Sequence, residues 1–278
     1  MKKLAILIAG LIGSTSVLAN VPELQLTRDS GYSDNQADID LQSADHNDVR
    51  IVQNSDGGYS TRGNTVQVVV NTADRNTVDV EQQTTFNEAR VRLYNGDKNV
   101  VTVDQNFRED VDILVNGGNG NTITSDQQSY WNDTLIQVVE SGGDDSDGNT
   151  LSVTQTARDN EAKLVLRASD KNEITVNQNY ENVTDISLTS SNKNVITLDQ
   201  AYENLATVSL SSSDRNEIDV DQNGSESGVE IRLVSSSGNR GENTLTDSSG
   251  IQVVQSSYDY ANISLNDSNY NAVYVEQN

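Results

Sequence analysis

The chain has 278 residues, no cysteine and a formal net charge of −24. These values exclude a disulfide framework and a thiolate metal site, and so acidic a surface repels nucleic acid and anionic membranes. Aromatic residues make up only 5% of the sequence, which is typical of disordered chains, but a regular repeat can spread a thin core over many stacked units.

The first nineteen residues have the pattern of a secretory signal peptide. Lys2 and Lys3 precede an apolar run over residues 4–12, and a small-residue cleavage site ends at Ala19. Removing both lysines leaves 16 basic against 42 acidic residues, a net charge of −26. A membrane anchor is the alternative, which the short apolar run disfavours. Residues 20–36 are predicted to be a leader or a cap, and no later stretch is apolar enough to span a bilayer.

A seven-residue motif recurs through residues 37–278, with Asn, apolar, apolar and Gln at every second position. Alternate residues of a strand share one face, so these four side chains are predicted to point inward together. Nine copies follow the motif closely: Asn47 to Gln53, Asn76 to Gln82, Asn99 to Gln105, Asn121 to Gln127, Asn149 to Gln155, Asn172 to Gln178, Asn194 to Gln200, Asn216 to Gln222 and Asn271 to Gln277.

A tenth copy begins at Asn243 but is degraded. Asp247 stands where an apolar residue belongs, and Ser249 stands where Gln belongs. Residues 247–258 have no single assignment, because Ile251, Val253 and Gln255 have the spacing of a rival strand, so the sequence leaves two alternatives for this repeat.

A second strand precedes each Asn, with three alternating inward residues such as Val66, Val68 and Val70. The basic period is 22 to 23 residues, and insertions of five or six residues are predicted to be surface loops. The sequence therefore predicts an all-β fold, a β-solenoid of about ten stacked repeats with two strands per rung. Asn above Asn and Gln above Gln would bond amide to amide along the stack, which satisfies amides that are costly to bury alone.

No catalytic, cofactor or metal site is predicted. The only histidine, His46, lies in a turn where other repeats carry Arg75, Lys98 or Lys171. Asp219 and Asp221 lie on the outward face of a strand, which indicates a solvated surface. The acidic loop over residues 144–149 resembles a calcium site but fails the EF-hand spacing. Aromatic residues two positions after Gln, Phe107, Tyr180 and Tyr202, are predicted to stack at one corner.

The spacing from Gln155 through a Thr-Ala-Arg-Asp turn and a strand to Asn172 resembles the repeat of the curlin family, the subunits of bacterial curli fibres. The resemblance covers roughly residues 37–278 and is best in the Asn-to-Gln half of each repeat. The first strand departs from the family pattern, because Arg167, Thr189 and Ser211 stand where that pattern has Gln.

The resemblance implies a secreted amyloid subunit that assembles head to tail with copies of itself into extracellular fibres for biofilm and adhesion. Possible partners are a nucleator subunit and an outer-membrane export pore. Three alternatives remain: a minor subunit that seeds another fibre protein, a monomeric solenoid that binds ice or polysaccharide with a flat face, and a polysaccharide lyase. The mixed outward residues disfavour ice binding, and the absence of a third strand per turn disfavours a lyase.

Overall fold

The computed structural model describes most of the repeat region. The described residues are 36–42, 47–53, 63–72, 75–83, 87–95, 98–106, 108–117, 120–128, 130–139, 148–168, 171–190, 193–213, 216–235, 251–255, 259–266 and 273–277. The predicted signal peptide lies outside them, as does nearly all of the predicted leader. Their regular secondary structure is β throughout, and none of them belongs to a helix that is long and apolar enough to cross a bilayer.

The first strand of each repeat stacks on its counterpart in the next repeat to form one parallel sheet of ten strands. Its order is β1-β2-β3-β4-β5-β7-β9-β11-β13-β15. Each strand has six residues: β1 (Ala37–Gln42), β2 (Val66–Asn71), β3 (Ala89–Tyr94), β4 (Val111–Asn116), β5 (Thr134–Val139), β7 (Ala162–Arg167), β9 (Thr184–Thr189), β11 (Ala206–Ser211), β13 (Val229–Val234) and β15 (Ala261–Asn266). Equivalent residues are paired throughout; Val66, for example, pairs with Ala37 and with Ala89.

The Asn-to-Gln segments supply the remaining strands, which are also parallel. Two sheets are formed, ordered β10-β12-β14-β16 and β6-β8. The strands are β6 (Thr154–Gln155), β8 (Asn177–Gln178), β10 (Val195–Leu198), β12 (Glu217–Asp221), β14 (Ile251–Gln255) and β16 (Val273–Gln277). The all-β solenoid predicted from the sequence is therefore confirmed.

The structure differs from the sequence prediction in the earlier Asn-to-Gln segments, where the backbone is not a regular strand. Several residues there have left-handed backbone angles, among them Asp79 (φ 50°), Asp126 (φ 70°) and Ser152 (φ 90°). These three residues face outward, and Asp is among the residues that tolerate this conformation. Hydrogen bonds still join successive segments, as from Asp104 N to Ser125 O at 2.9 Å, so the stack continues without a regular ladder.

The rival strand occupies the place that the degraded copy was predicted to fill. Strand β14 pairs with β12 and β16, with Ile251 opposite Ile218 and Val253 opposite Val220. The prediction that this repeat starts at Asn243 is therefore wrong in register, and residues 243–249 lie outside the described residues. Ile251, Val253 and Gln255 match three of the four motif positions, whereas the copy at Asn243 matches two, with Asn243 and Leu245.

The core is one hydrophobic cluster made by the inward side chains of both segments of every repeat. It extends from Ala37 to Val253 and consists of Val, Ile, Leu and a few Ala. Strands in a sheet are about 4.8 Å apart, so each inward side chain packs on its equivalents in the neighbouring repeats. Alternation of inward apolar and outward polar residues thus places the amides of Asn and Gln inside, at the ends of the apolar rows.

Candidate assembly site: amide columns and terminal strands

The Gln residues of the motif form one unbroken column, the Gln column, along the stack. It consists of Gln53, Gln82, Gln105, Gln127, Gln155, Gln178, Gln200, Gln222 and Gln255, all of them buried. Each Nε2 donates to the Oε1 of the Gln in the following repeat, at 2.5 to 3.0 Å. Gln255 was expected only as part of the rival strand, and it extends the predicted column.

Most of these Gln residues also close the corner of their own repeat. Nε2 of Gln155 donates to Gln178 at 2.5 Å and to the backbone oxygen of Glu161 at 3.0 Å. Gln82, Gln105, Gln127 and Gln178 make the same backbone bond immediately before the next first strand. A Gln side chain has two N–H donors, so one amide can join neighbouring repeats and also fix the turn between the two segments.

Two threonines at inward positions of first strands join the Gln column. The Thr134 hydroxyl lies 2.7 Å from Gln127 Nε2 and 3.2 Å from Gln155 Oε1. Thr184 makes the equivalent contacts, at 2.8 Å to Gln178 Nε2 and 2.6 Å to Gln200 Oε1. The column therefore accommodates a hydroxyl where other repeats bury Ala or Val.

The Asn residues of the motif form a second set of stacked amides, the first Asn column. Nδ2 of Asn76, Asn99, Asn121, Asn149 and Asn172 each donates to Oδ1 of the preceding Asn, starting at Asn47, at 2.5 to 2.7 Å. Asn194 donates to Asn216 at 2.6 Å. Asn271 lies outside the described residues, so its predicted place in this column stays a prediction.

Another row of buried amides, which we call the second Asn column, was not predicted from the sequence. Asn160 donates to Asn132 at 2.6 Å, Asn182 to Asn160 at 2.9 Å and Asn204 to Asn182 at 2.8 Å. Each of these lies two residues before the first inward residue of a first strand. The Asn of the motif also lies two residues before the first residue of its own apolar pair. The same spacing, read from the sequence, therefore indicates this second column.

Two residues other than Asn occupy positions in the second Asn column. Glu109 is buried and accepts from Asn132 Nδ2 through Oε2 at 2.6 Å. The Ser227 hydroxyl donates to Asn204 Oδ1 at 3.3 Å. The column therefore contains a carboxyl group in a position where its neighbours carry neutral amides.

The outermost strands at the C-terminal end of the stack, β15 and β16, present apolar side chains to solvent. Leu265, Val273 and Val275 are 37%, 45% and 40% exposed, whereas Val253 in the preceding repeat is fully buried. Gln277 lies in register with Gln255 but is exposed. Gln255 Nε2 is buried and has no hydrogen-bond acceptor among the described residues. The Gln column thus stops one repeat before this end.

Acidic residues form a row outside the second Asn column. Glu88, Asp110, Asp133 and Glu161 each directly precede a first strand, and the first three line a shallow depression with Arg90 and Asp112. Burial raises the pKa of Asp133 to about 6, with further contributions from Asp110, Glu161 and Asp112. Among the described residues, no group of acidic or histidine side chains is placed to hold a metal ion.

The aromatic residues and the outward acidic pair noted in the sequence are not part of the amide columns. Tyr180 and Tyr202 stack with ring centroids 4.9 Å apart and planes 5° from parallel, so this pair lies as predicted, whereas Phe107 is outside the described residues. Asp219 and Asp221 lie side by side on the outward face of β12, partly buried. Burial raises the pKa of Asp219. His46 and residues 144–147 of the acidic loop lie outside the described residues.

Comparisons with protein-family models, with curated proteins and with solved structures find no match to this chain.

Replacing a central amide of the Gln column is expected to destabilise the fold strongly. Gln155→Leu would remove the acceptor of Gln127 Nε2 in the column, the donor to Gln178 Oε1 and the donor to the backbone oxygen of Glu161. We expect a loss of about 2–4 kcal/mol in the free energy of unfolding, measured by urea denaturation. The control is Gln137→Leu on the outward side of β5, which should change it by less than about 0.5 kcal/mol. Equal effects would contradict a structural role of the column.

Replacing Glu109 by Gln is expected to stabilise the protein. An amide can still accept the hydrogen bond from Asn132, and burying it costs less than burying a carboxylate. We expect a gain of about 1 kcal/mol at pH 7, measured as the urea midpoint. The control variant, Glu161→Gln, changes an exposed acid and should have a smaller effect, and a loss of stability in Glu109→Gln would contradict this argument.

The acidic row predicts an unusual pH dependence of stability. The pKa of Asp133 is about 6 in the folded chain and 3.8 in the unfolded chain, so the folded state binds more protons between these values. The free energy of unfolding should therefore rise as the pH falls from 6 towards 4. Urea midpoints at pH 4.5 and 7 would measure this rise, which Asp133→Asn should reduce. An unchanged pH profile in Asp133→Asn would count against the assignment.

Proposed function

We propose that this chain is a secreted, curlin-like amyloid subunit with a structural rather than a catalytic role. In this proposal it adds to copies of itself, end to end, and the resulting extracellular fibre serves as biofilm matrix and adhesin. A nucleator subunit and an export pore in the outer membrane are its proposed partners. The resemblance of the repeat to the curlin pattern motivates the proposal.

The observation that carries the proposal is the state of strands β15 and β16. Both are the last strands of parallel sheets, and their inward residues Leu265, Val273 and Val275 are half-exposed in the isolated chain. An uncovered strand edge with apolar side chains is a template for pairing with another chain. Another copy stacked on this edge would bury these residues as Val253 is buried in the preceding repeat.

The Gln column supports addition in one direction. Each Gln from Gln53 to Gln222 donates towards the C-terminal end of the stack, and Gln277 of the terminal strand β16 is the next Gln in register after Gln255. Stacking a further copy in the same orientation would add Gln oxygens on the side towards which these donors point. Association between unlike ends generates open fibres rather than closed oligomers.

A time course of thioflavin T fluorescence on purified residues 20–278, followed by fibre diffraction, tests the proposal. We expect a sigmoidal rise and reflections near 4.7 Å and 10 Å, the spacings of stacked strands and packed sheets. A flat trace from a folded, β-rich monomer would contradict the proposal.

A charge on the exposed edge should delay assembly. Val275→Lys would place an ammonium group where the next copy stacks, and burying it unpaired is costly. We expect the lag time to increase several-fold. The matched control is Val195→Lys, because Val195 is 38% exposed but faces outward on β10. Equal lag times in the two variants would exclude β16 as the growing edge.

A further inference from the structure

The position directly before each first strand changes its character along the stack. In the earlier repeats it holds the acidic row, and in the later repeats it holds Val183, Leu205, Gly228 and Tyr260. Backbone bonds fix this register, as from Thr184 N to the oxygen of Leu205 at 2.9 Å. The same line of positions is thus acidic in one half of the stack and mostly apolar in the other.

The apolar part of this line, Val183, Leu205 and Tyr260, forms an exposed strip that we call the apolar ridge. Its side chains are 37%, 47% and 58% exposed. The Leu205 side chain extends over Gly228, because a Cβ atom built on that glycine would lie 3.4 Å from Leu205 Cδ1. Neighbouring exposed apolar side chains with a polar rim are typical of an interaction surface.

The rim of the apolar ridge is acidic. Glu203 lies two residues before Leu205, Glu226 lies two residues before Gly228, and Glu230 lies two residues after that glycine; all three acids are exposed. Arg232 lies farther from the ridge, in the middle of β13. A partner that covers the ridge therefore needs apolar side chains together with cations, since like charges across an interface oppose binding.

The outward face of the middle first strands offers this combination. At the last two outward positions of β3, β4, β5 and β7, none of the side chains is acidic: Arg92, Tyr94, Leu114, Asn116, Gln137, Val139, Val165 and Arg167. The acidic row lies at the other end of the same strands. We define the basic patch as Arg92, Leu114, Val139, Val165 and Arg167, of which the three apolar residues are partly exposed.

The apolar residues of the two surfaces have matching spacings. Leu114 and Val165 both pair with Gln137, so they lie two rungs apart with one rung between them. Leu205 and Tyr260 are also two rungs apart, with Gly228 between them. Rungs follow one another at about 4.8 Å, so each apolar pair spans about 10 Å.

We propose that the apolar ridge of one copy of this chain docks on the basic patch of a second copy, side to side. With a charge of −24 on each chain, two copies repel each other over most of their surfaces. Contact between the ridge and the patch instead sets Arg92 and Arg167 of one copy near Glu203 and Glu226 of the other, around apolar side chains. This contact uses outward side chains and does not require the end-to-end stacking proposed above.

The first test is sedimentation velocity of residues 20–278 carrying Val275→Lys, which hinders addition at β16. At an ionic strength of 0.15 M the Debye length is about 8 Å, so long-range repulsion is screened. We expect association that depends on concentration, and Leu205→Asp should weaken it at least about tenfold because a carboxylate would be buried in the contact. The matched control is Val195→Asp, which changes an exposed valine on β10 and should leave association unchanged.

Absence of association, or equal effects of Leu205→Asp and Val195→Asp, would overturn the proposal. The result is independent of fibre growth. Side-to-side association without fibres in the parent chain would contradict the proposed function alone, whereas fibres without side-to-side association would contradict this inference alone.

Mixing two variants tests whether unlike surfaces meet. Leu205→Asp damages the ridge and Leu114→Asp damages the patch, so each variant should fail to associate by itself. An equimolar mixture still has one intact patch and one intact ridge, and it should associate again. Circular dichroism of both variants should stay that of the parent chain. A mixture of folded variants that fails to associate would overturn the pairing of ridge and patch.

Disulfide trapping locates the contact, since the chain has no cysteine of its own. Leu205→Cys is mixed with Leu114→Cys and, separately, with Val165→Cys under mild oxidation. At least one mixture should give a cross-linked dimer, and which one does so gives the relative orientation of the two copies. The matched control is Leu205→Cys with Thr175→Cys, which lies outward on an Asn-to-Gln segment. A yield in this control as high as in both test mixtures would overturn the proposal.

Discussion

The fold depends on the need of each buried amide to find a hydrogen-bond partner. The side chain of Gln155 is fully buried. Burying an amide without a hydrogen-bond partner costs about as much free energy as several favourable side-chain contacts contribute to stability. The hydrogen bonds of Gln155 along the Gln column form only if a Gln lies at the same position in both neighbouring repeats. If one strand shifted by one residue relative to its neighbour, every inward side chain would turn outward and the amides would lose their partners. The amide columns therefore specify the register more strictly than the apolar residues alone would.

Much of this arrangement could be predicted from the sequence, because alternation and period determine which side chains are buried together. The Gln column from Gln53 to Gln222 follows directly from them. The second Asn column was not predicted, because the repeated motif includes Asn only at the start of the second segment, although Asn132, Asn160 and Asn182 keep a constant distance from the next first strand. Alternation could not reveal the left-handed angle of Ser152, because it determines which side chains are inside and not the backbone angles.

Repulsion between acidic residues in neighbouring repeats opposes the stacking that the amide columns require. Glu88, Asp110, Asp133 and Glu161 lie in successive repeats, each directly before a first strand, and burial together with repulsion between neighbouring acids raises the pKa values of Asp110 and Asp133. Cations pair with some of the other acids on the outward face of the sheet, as Lys163 does with Asp185, where Nζ lies 2.9 Å from the carboxylate. The stack is therefore stable despite the repulsion between its negative charges, because the stabilising amide and apolar contacts are repeated in every rung.

The direction of the columns bears on how two stacks can meet. Donors of the Gln column point towards the C-terminal end, whereas those of the second Asn column and of the run from Asn47 to Asn172 point towards the N-terminal end. Two like ends brought together would set donor against donor in one column and acceptor against acceptor in another. Two unlike ends place a donor opposite an acceptor in the Gln column and in the second Asn column, and they also keep the strands parallel. The amides that determine the register within a chain thus favour a single polarity between chains.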